Sequence, residues 1–579
     1  MNKTTIILLL GFSILGLCGI VSAQTPTLIG TIAGVPGEDN KFADDNNNLT
    51  KGDVNGDGYT DLVVGARGYG KIRIFLGDAI GIDGTADWTV NLPSGITTAS
   101  RYGDRVACGD LNNDGYDDVA VGAPWTTIGA SANAGNVYIY YGGATMDTVL
   151  DLDIPCPHPF KTSAWFGRNI LIGNFDSDPG DDMYVAASRG SIWGKTPYYR
   201  PGNYYEGPDA ETYNGIVYYF SGSSTFDGTP ASDPIIGQSS SGQAGDRAMD
   251  KADVNNDGYD DLLLGEHAAS YNHDNKMEEC GKVTLYLGGR WLDHAPDIII
   301  PKQDTSLTYE FFGNTLSSAG DYNGDGSDDM VVGVNPSGGQ TTGRIYLFYG
   351  PLRKLEADVI ITPPAEANSL QWGVWNGMAW LGDINDDGYD DFSVHGYMDN
   401  NGDGKAYIYL GGAQFSDTRY FTLSGETGSF SGFGYAAEAL GDINGDAIDD
   451  FAISAPTFGN ASSGKLYLYA GSKSIVPGVS DRAVELPSEY ALKQNFPNPF
   501  NPGTTIEFSL ANSEKVTLKI YNNLGQEIKT LVERQMPAGS HSVKWDGTDA
   551  KGRPVVSGAY YYQILGDEQG LTKKMLLLK

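Results

Sequence analysis

The sequence predicts an all-β chain: a seven-bladed β-propeller followed by a small immunoglobulin-like β-sandwich. Three observations predict it. A nine-residue acidic segment recurs seven times, at intervals of roughly 57 to 79 residues, the scale of one four-stranded unit. Each copy is followed by an apolar run and then by a Gly-led strand of alternating character. After Gly471 the composition changes to Pro-rich turns and six further short strands.

In chain order, Lys3, the apolar run from Ile6 to Val21 and the small-residue end Val21-Ser22-Ala23 read as a signal peptide over residues 1–23. Residues 24–475 are predicted to form the propeller. Within each repeat an aromatic-Gly pair comes first, as in Tyr102-Gly103, Phe166-Gly167, Phe312-Gly313, Trp372-Gly373 and Phe433-Gly434. The acidic segment follows, then an apolar run such as Leu62 to Ala66 or Val119 to Pro124. Next come an alternating strand such as Gly70 to Gly77 or Gly135 to Gly142 and a fourth strand such as Asp87 to Leu92. Four antiparallel strands repeated radially make a propeller. Only six fourth strands follow seven acidic segments, and the chain beyond Gly471 reads as linker. Residues 27–33 are therefore predicted to supply the missing strand and close the seventh blade, because an open edge leaves backbone donors and acceptors unpaired.

The acidic segments offer side-chain oxygens at positions 1, 3, 5 and 9 and a backbone carbonyl at position 7. In the first copy these are Asp53, Asn55, Asp57, Asp61 and the carbonyl of Tyr59; in the second, Asp110, Asn112, Asp114, Asp118 and Tyr116. The third has Asn174, Asp176, Asp178 and Asp182; the fourth has Asp253, Asn255, Asp257, Tyr259 and Asp261. The fifth has Asp321, Asn323, Asp325, Ser327 and Asp329, and the sixth Asp383, Asn385, Asp387, Tyr389 and Asp391. The seventh has Asp442, Asn444, Asp446, Ile448 and Asp450. Gly stands at position 6 in five copies, where a sharp turn wants a positive φ. Hard oxygens at alternate positions around such a turn are what Ca2+ takes, as in the opening of the EF-hand loop. One copy alone reads equally well as an acidic Asx turn; seven in phase predict about seven Ca2+ sites. The third and seventh sites are the weaker, with Pro179 and Ala447 at position 6. A related run, Asp399-Asn-Asn-Gly-Asp-Gly404, lacks the closing acid and reads as a solvated turn.

The formal net charge is -35, and 28 of the 73 acidic residues lie in these segments. Seven divalent ions would bring the charge to about -21. So acidic a chain excludes nucleic acid as a partner. Six His with no zinc-binding spacing, and no nucleophile-elbow motif, predict a protein that is not an enzyme. Beyond the signal peptide remain Cys108, Cys156 and Cys280, too few for a disulfide scaffold. The longest connection between second and third strands, 188–215, lies on the face opposite the acidic loops. Its Trp193, Tyr198, Tyr199, Arg200, Tyr204, Tyr205 and Tyr213 are candidate ligand contacts, since aromatic and Arg side chains dominate binding hot spots. The same stretch reads equally well as an insertion that buries its own tyrosines.

Residues 476–490 read as a linker and 491–579 as the sandwich. Its predicted strands are Thr504 to Leu510, Val516 to Tyr521, Glu527 to Val532, Ser540 to Trp545, Ala559 to Leu565 and Thr572 to Leu578.

The aromatic-Gly pairs, the nine-residue loops and the runs Gly65-Ala-Arg67, Gly122-Ala-Pro124 and Ser454-Ala-Pro456 resemble the FG-GAP repeats of the integrin α-subunit propeller, over about residues 25–475. The resemblance implies calcium loops on the lower face and ligand docking on the upper. The stretch Tyr490 to Pro502, Val516 to Tyr521 with Leu524-Gly525, Gly558 to Tyr562 and the end Lys573 to Lys579 resemble the type A sorting domain of type IX secretion cargo. That implies a Gram-negative bacterium, export through its outer-membrane secretion machinery, and a place at the cell surface. Together these readings predict a secreted, calcium-binding adhesion or recognition module for a glycan or a surface protein. An enzyme acting on extracellular glycans or lipids, or a purely structural surface-layer protein, are the alternatives.

Overall fold

The computed structural model describes residues 25–578, except 40, 45–47, 159–162, 190–213, 238–242, 268–269, 274–275, 280, 291, 304–310, 335–342, 353, 366, 368–371, 374–376, 460–461, 476–481, 484–489, 496, 511–513, 537–538 and 567–569. The signal-peptide segment 1–23 and the seven candidate ligand contacts from Trp193 to Tyr213 lie outside the described residues.

Among the described residues, seven sheets of at least four strands follow one another between Thr27 and Ala470. Each apolar run after an acidic loop becomes the second strand of its sheet. Asp61–Ala66, Asp118–Ala123, Asp182–Ala187, Asp261–Gly265, Asp329–Val334, Asp391–Gly396 and Asp450–Ala455 are buried along their whole length. A strand covered on both faces wants apolar residues throughout, which is why these runs do not alternate. The covering comes from the neighbouring sheets. Seven apolar clusters each join two consecutive sheets; one joins Val63 and Ile72 of the first to Val119 and Tyr138 of the second. The last cluster joins Leu62, Val64 and Phe75 of the first sheet to Ala452, Leu466 and Leu468 of the seventh.

The first strands touch in cyclic order: Leu49–Gly52, Arg105–Gly109, Phe166–Gly173, Met249–Ala252, Thr315–Gly320, Met378–Gly382, Ala437–Gly441, and back to Leu49–Gly52. The outer strand of the seventh sheet is Thr27–Ala33, antiparallel to Lys465–Ala470. The stretch that reads as linker also contributes structure: Arg482–Ala483 lies parallel to Leu423 and Ser424 as a fifth strand on the sixth sheet. Cys108 and Cys156 are both free thiols, and Cys280 is outside the described residues.

The C-terminal residues form two further sheets around one core. Ala491–Leu492, Thr504–Leu510 and Gly539–Trp545 make one; Glu527–Met536, Glu514–Asn522, Gly558–Leu565 and Gly570–Leu577 make the other. Trp545, Phe508, Ile520 and Tyr562 fill the space between them. This pair of sheets docks where the first and seventh sheets meet. Strand Gly539–Trp545 touches Thr27–Ala33, and Ile80 of the first sheet packs on the C-terminal core. Arg534 Nη1 pairs with Asp78 Oδ2 at 2.7 Å, and Lys544 Nζ donates to the Gly445 carbonyl at 2.9 Å.

Candidate metal centres

Each acidic segment is the hairpin between the first and second strands of its sheet, so all seven lie at the same end of the sheets. Position 1 shapes the loop. In the first copy the Asp53 carboxylate accepts from the Asp57 and Gly58 amides at 3.0 and 2.8 Å; Asp110, Asp253, Asp321, Asp383 and Asp442 do the same in theirs. Position 5 accepts the amide of position 7, as Asp57 does from Tyr59 and Asp446 from Ile448.

Two positions need left-handed backbone, one more than the sequence reading assigned. Position 6 has φ of 84 at Gly58 and 91 at Gly326, and 69 at Ala447, so the expected strain at Ala447 is present. Position 4 has φ of 70 at Gly56, 54 at Asn113, 57 at Asn256 and 54 at Asp386. Gly, Asn and Asp tolerate that conformation best, and only they occur there in these six loops.

Position 9 is the buried anchor. Asp61 Oδ2 accepts from the Val54 amide at 2.9 Å, while its Oδ1 accepts from the Gly77 amide, beyond the third strand, at 2.8 Å. Asp118, Asp182, Asp261, Asp329, Asp391 and Asp450 repeat both bonds. Burial, with repulsion from the acids at positions 1 and 5, outweighs those amides. It lifts the carboxyl pKa from 3.8 to about 7 at Asp61, Asp118 and Asp261 and to about 8 at Asp329 and Asp450.

Position 3 bears on whether these loops fit a metal. The Oδ1 atoms of Asn112, Asn255 and Asn323 are buried and accept no hydrogen bond. A buried amide oxygen without a donor costs about 1–3 kcal/mol, and the same vacancy recurs at the same position of three loops. A hard cation bound among positions 1, 3 and 5 would satisfy all three oxygens.

The third loop differs. Pro179 cannot adopt positive φ, and neither position 4 nor position 6 is left-handed there. Yet the carboxylates of Asp176, Asp178 and Asp182 come within 4.8 Å of one another. Tyr219 donates to Asp176 at 2.7 Å, and Ser221 donates to Asp178. In the sixth loop the guanidinium of Arg419 pairs with Asp387 at position 5 and contributes positive charge of its own. The related run at 399–404 is not a solvated turn. Asp399 is buried and accepts from the Tyr407 hydroxyl, and Asp403 accepts from the Gly428 and Phe430 amides at 2.8 and 2.9 Å. It fastens the connection to the seventh sheet.

Position 8 went unread in the sequence. Asp117 Oδ2, in the second loop, accepts the amide of Asp53, position 1 of the first, at 2.8 Å. Asp181, Asp260, Asp328, Asp390 and Asp449 bond to Asp110, Asn174, Asp253, Asp321 and Asp383 in the same way, at 2.9–3.0 Å. Each pair of consecutive loops is thus fastened by a carboxylate. The signal was the doubled Asp at positions 8 and 9 of six copies; the first copy has Thr60 instead.

Family models match parts of this repeated four-stranded unit with its oxygen-lined hairpin. The FG-GAP-like repeat matches residues 53–121, and the FG-GAP repeat matches 312–348 and 433–469. The FlgD Ig-like domain matches residues 498–570. The chain is similar to integrin alpha-5 of Xenopus laevis, 26% identical over 41% of this chain and 19% of that protein. It is also similar to the phosphatidylinositol-glycan-specific phospholipase D of Mus musculus, 31% identical over 24% of this chain and 18% of that protein. The matches span about a fifth of the length of those relatives. Among solved structures, PorZ, a surface component of the type-IX secretion system of Porphyromonas gingivalis, aligns at 14% identity. The alignment covers 90% of this chain and 50% of PorZ, with a TM-score of 0.28, too loose a superposition to argue from.

Proposed function

We propose that the seven sheets are the blades of a calcium-held β-propeller that works outside the cell as a recognition or adhesion module. The observation that supports calcium most directly is the recurrent donorless oxygen of Asn112, Asn255 and Asn323 inside loops of hard oxygen ligands. With the metal loops at one end of the sheets, the opposite end is left for a partner, a glycan or another surface protein. The similarity to integrin alpha-5 supports this reading, and the similarity to the phospholipase D keeps an enzyme acting on extracellular glycans or lipids as the alternative. The C-terminal sandwich serves export through type IX machinery in this reading, and residues 1–23 serve passage across the inner membrane.

A glycan array and a panel of surface proteins, probed with the full chain in calcium and again in chelator, test the proposal. Calcium-dependent retention of one ligand class is the expected result. Retention of none leaves a purely structural surface role, and conversion of a retained glycan would establish an enzyme. A reporter carrying residues 485–579 that stays in the periplasm of a competent host would exclude the sorting role.

A further inference from the structure

We infer that the end opposite the metal loops carries a site for an acidic polysaccharide, built on Arg101, Trp125 and Trp165 with Arg189 beside them. The inference rests on the recognition reading and deepens it.

Arg101 and Trp165 occupy equivalent places, each one residue before the aromatic-Gly pair that opens the second or third sheet. Trp125 and Arg189 lie just beyond the second strands of the same two sheets. The four side chains stack in order across the boundary. The Arg101 guanidinium lies 3.6 Å from the Trp125 ring centre, the two indoles are 6.1 Å apart at 40°, and the Arg189 guanidinium lies 3.7 Å from the Trp165 ring.

Backbone conformation shows that these side chains are not there for the turn. The position is left-handed in every sheet where it is described, with φ of 59 at Arg101, 61 at Trp165, 58 at Lys41, 50 at Gln243, 47 at Phe311 and 63 at Gly432. Glycine adopts this backbone without penalty, whereas a bulky residue there costs about 1–2 kcal/mol. The turn accepts Lys, Gln, Phe or Gly in the other sheets, so it does not itself dictate Arg101 or Trp165; what sets the second and third sheets apart is the stack these two residues build with Trp125 and Arg189.

Arg101 also has binding capacity left. Its nearest carboxylate is Asp104 at 4.0 Å, and the two oxygens of Asp104 already pair with Arg67 and, at 2.9 Å, with Arg168. No described side chain or carbonyl accepts a hydrogen bond from Arg101, and the Trp165 indole N–H is buried without an acceptor. Held flat on the Trp125 indole, the Arg101 guanidinium keeps its N–H edge for a ligand, and that edge matches a carboxylate or sulfate bidentately. The remaining indole surface suits the apolar face of a sugar ring. A uronate or sulfated sugar supplies both chemistries at once, which a neutral glycan does not. The arginines stand out in a chain of net charge -35, which would otherwise repel such a polymer.

The test is binding of the full chain to polygalacturonate, to a carrageenan, to neutral dextran and to poly-glutamate, in the same buffer. Expected is retention on one or both acidic polysaccharides, with the carboxylate and sulfate arms separating the two anions. R101Q and W125A should each weaken it roughly tenfold or more, while R101K, which keeps the charge and loses the fork, should recover part of the loss. Melting temperature within about 2 °C of the parent identifies variants that remain folded, and R189Q provides a second reading if W125A does not. The site is overturned if neither acidic polysaccharide is retained, if dextran or poly-glutamate is retained as well, or if folded variants bind like the parent. Retention of another ligand by parent and variants alike would sink this site and leave the recognition reading standing.

Discussion

Six boundaries between neighbouring sheets are fastened by a position-8 carboxylate; the seventh, where the last sheet meets the first, is not. At the boundary between the fourth and fifth sheets, Asp328 accepts the Asp253 amide at 2.9 Å and returns its own amide to the Asp253 carbonyl at 3.1 Å. At the last boundary Thr60 stands in that place, and among the described residues no hydrogen bond joins it to Asp442. The C-terminal sandwich sits there instead, reaching the first sheet through Arg534 and Ile80 and the seventh through Lys544 and the strand Thr27–Ala33. Chain ends have to meet somewhere in a closed arrangement. Here that meeting point lacks the local fastener and gains an outer brace.

The comparison breaks most violently if the outer strand is removed. Deleting residues 24–34 strips the edge of the seventh sheet and takes Ile32 from the cluster that joins it to the first. The expected outcome is loss of cooperative unfolding, read by calorimetry; an unchanged transition would mean that the last boundary holds without it.

Chelation should come next. A site filled at a hundred times its dissociation constant adds about 2.7 kcal/mol to the folded state, so emptying several loops should lower the melting temperature steeply. The pH dependence gives a second check. In the metal-free protein the position-9 carboxyls have folded pKa values raised to about 7 or 8 from 3.8. The unfolded chain therefore ionises first as pH rises. Stability is fully present below about pH 4 and is lost as pH climbs through 7 to 8. With calcium the trend should reverse, because the ion needs ionised ligands. Melting curves from pH 4 to 9, with and without chelator, report both signs.

Smaller effects sharpen the contrast. Asp328→Ala leaves the Asp253 amide without its acceptor and should cost about 1–3 kcal/mol, whereas Thr60→Ala should lie within about 0.5 kcal/mol of the parent. Urea titration compares them, and equal losses would erase the distinction between the two kinds of boundary. Smallest is the brace itself. Arg534→Ala removes a partly exposed ion pair worth about 0.2–1 kcal/mol. Protease sensitivity near Asp78 and Gly445 should register it better than global melting does.

The sequence made much of this plain where the constraint is local. An apolar run after each acidic loop announces a strand buried on both faces, and the nine-residue spacing announces the hairpin. What escaped depends on distance or on double use. The position-8 partners lie 64 to 86 residues away, and Asp117 beside Asp118 looks like one more ligand rather than a fastener. Position 4 carried a readable signal, since Gly56, Asn113, Asn256 and Asp386 share a tolerance for left-handed backbone, but the Gly at position 6 drew the attention. The Asp399 run looked hydrated because acids usually are; its acceptors for Gly428 and Phe430 appear only once the sixth sheet folds. Arg534 and Lys544 sit in alternating strands, where outward charge is the ordinary finding and says nothing of a docking face.

Asp61 turns toward two masters. One oxygen closes the first acidic hairpin, and the other pins the Gly77 amide, a single peptide away from the aspartate that grips Arg534. One buried carboxylate thus links the acidic hairpin, through two adjacent residues, to the ion pair that moors the C-terminal sandwich.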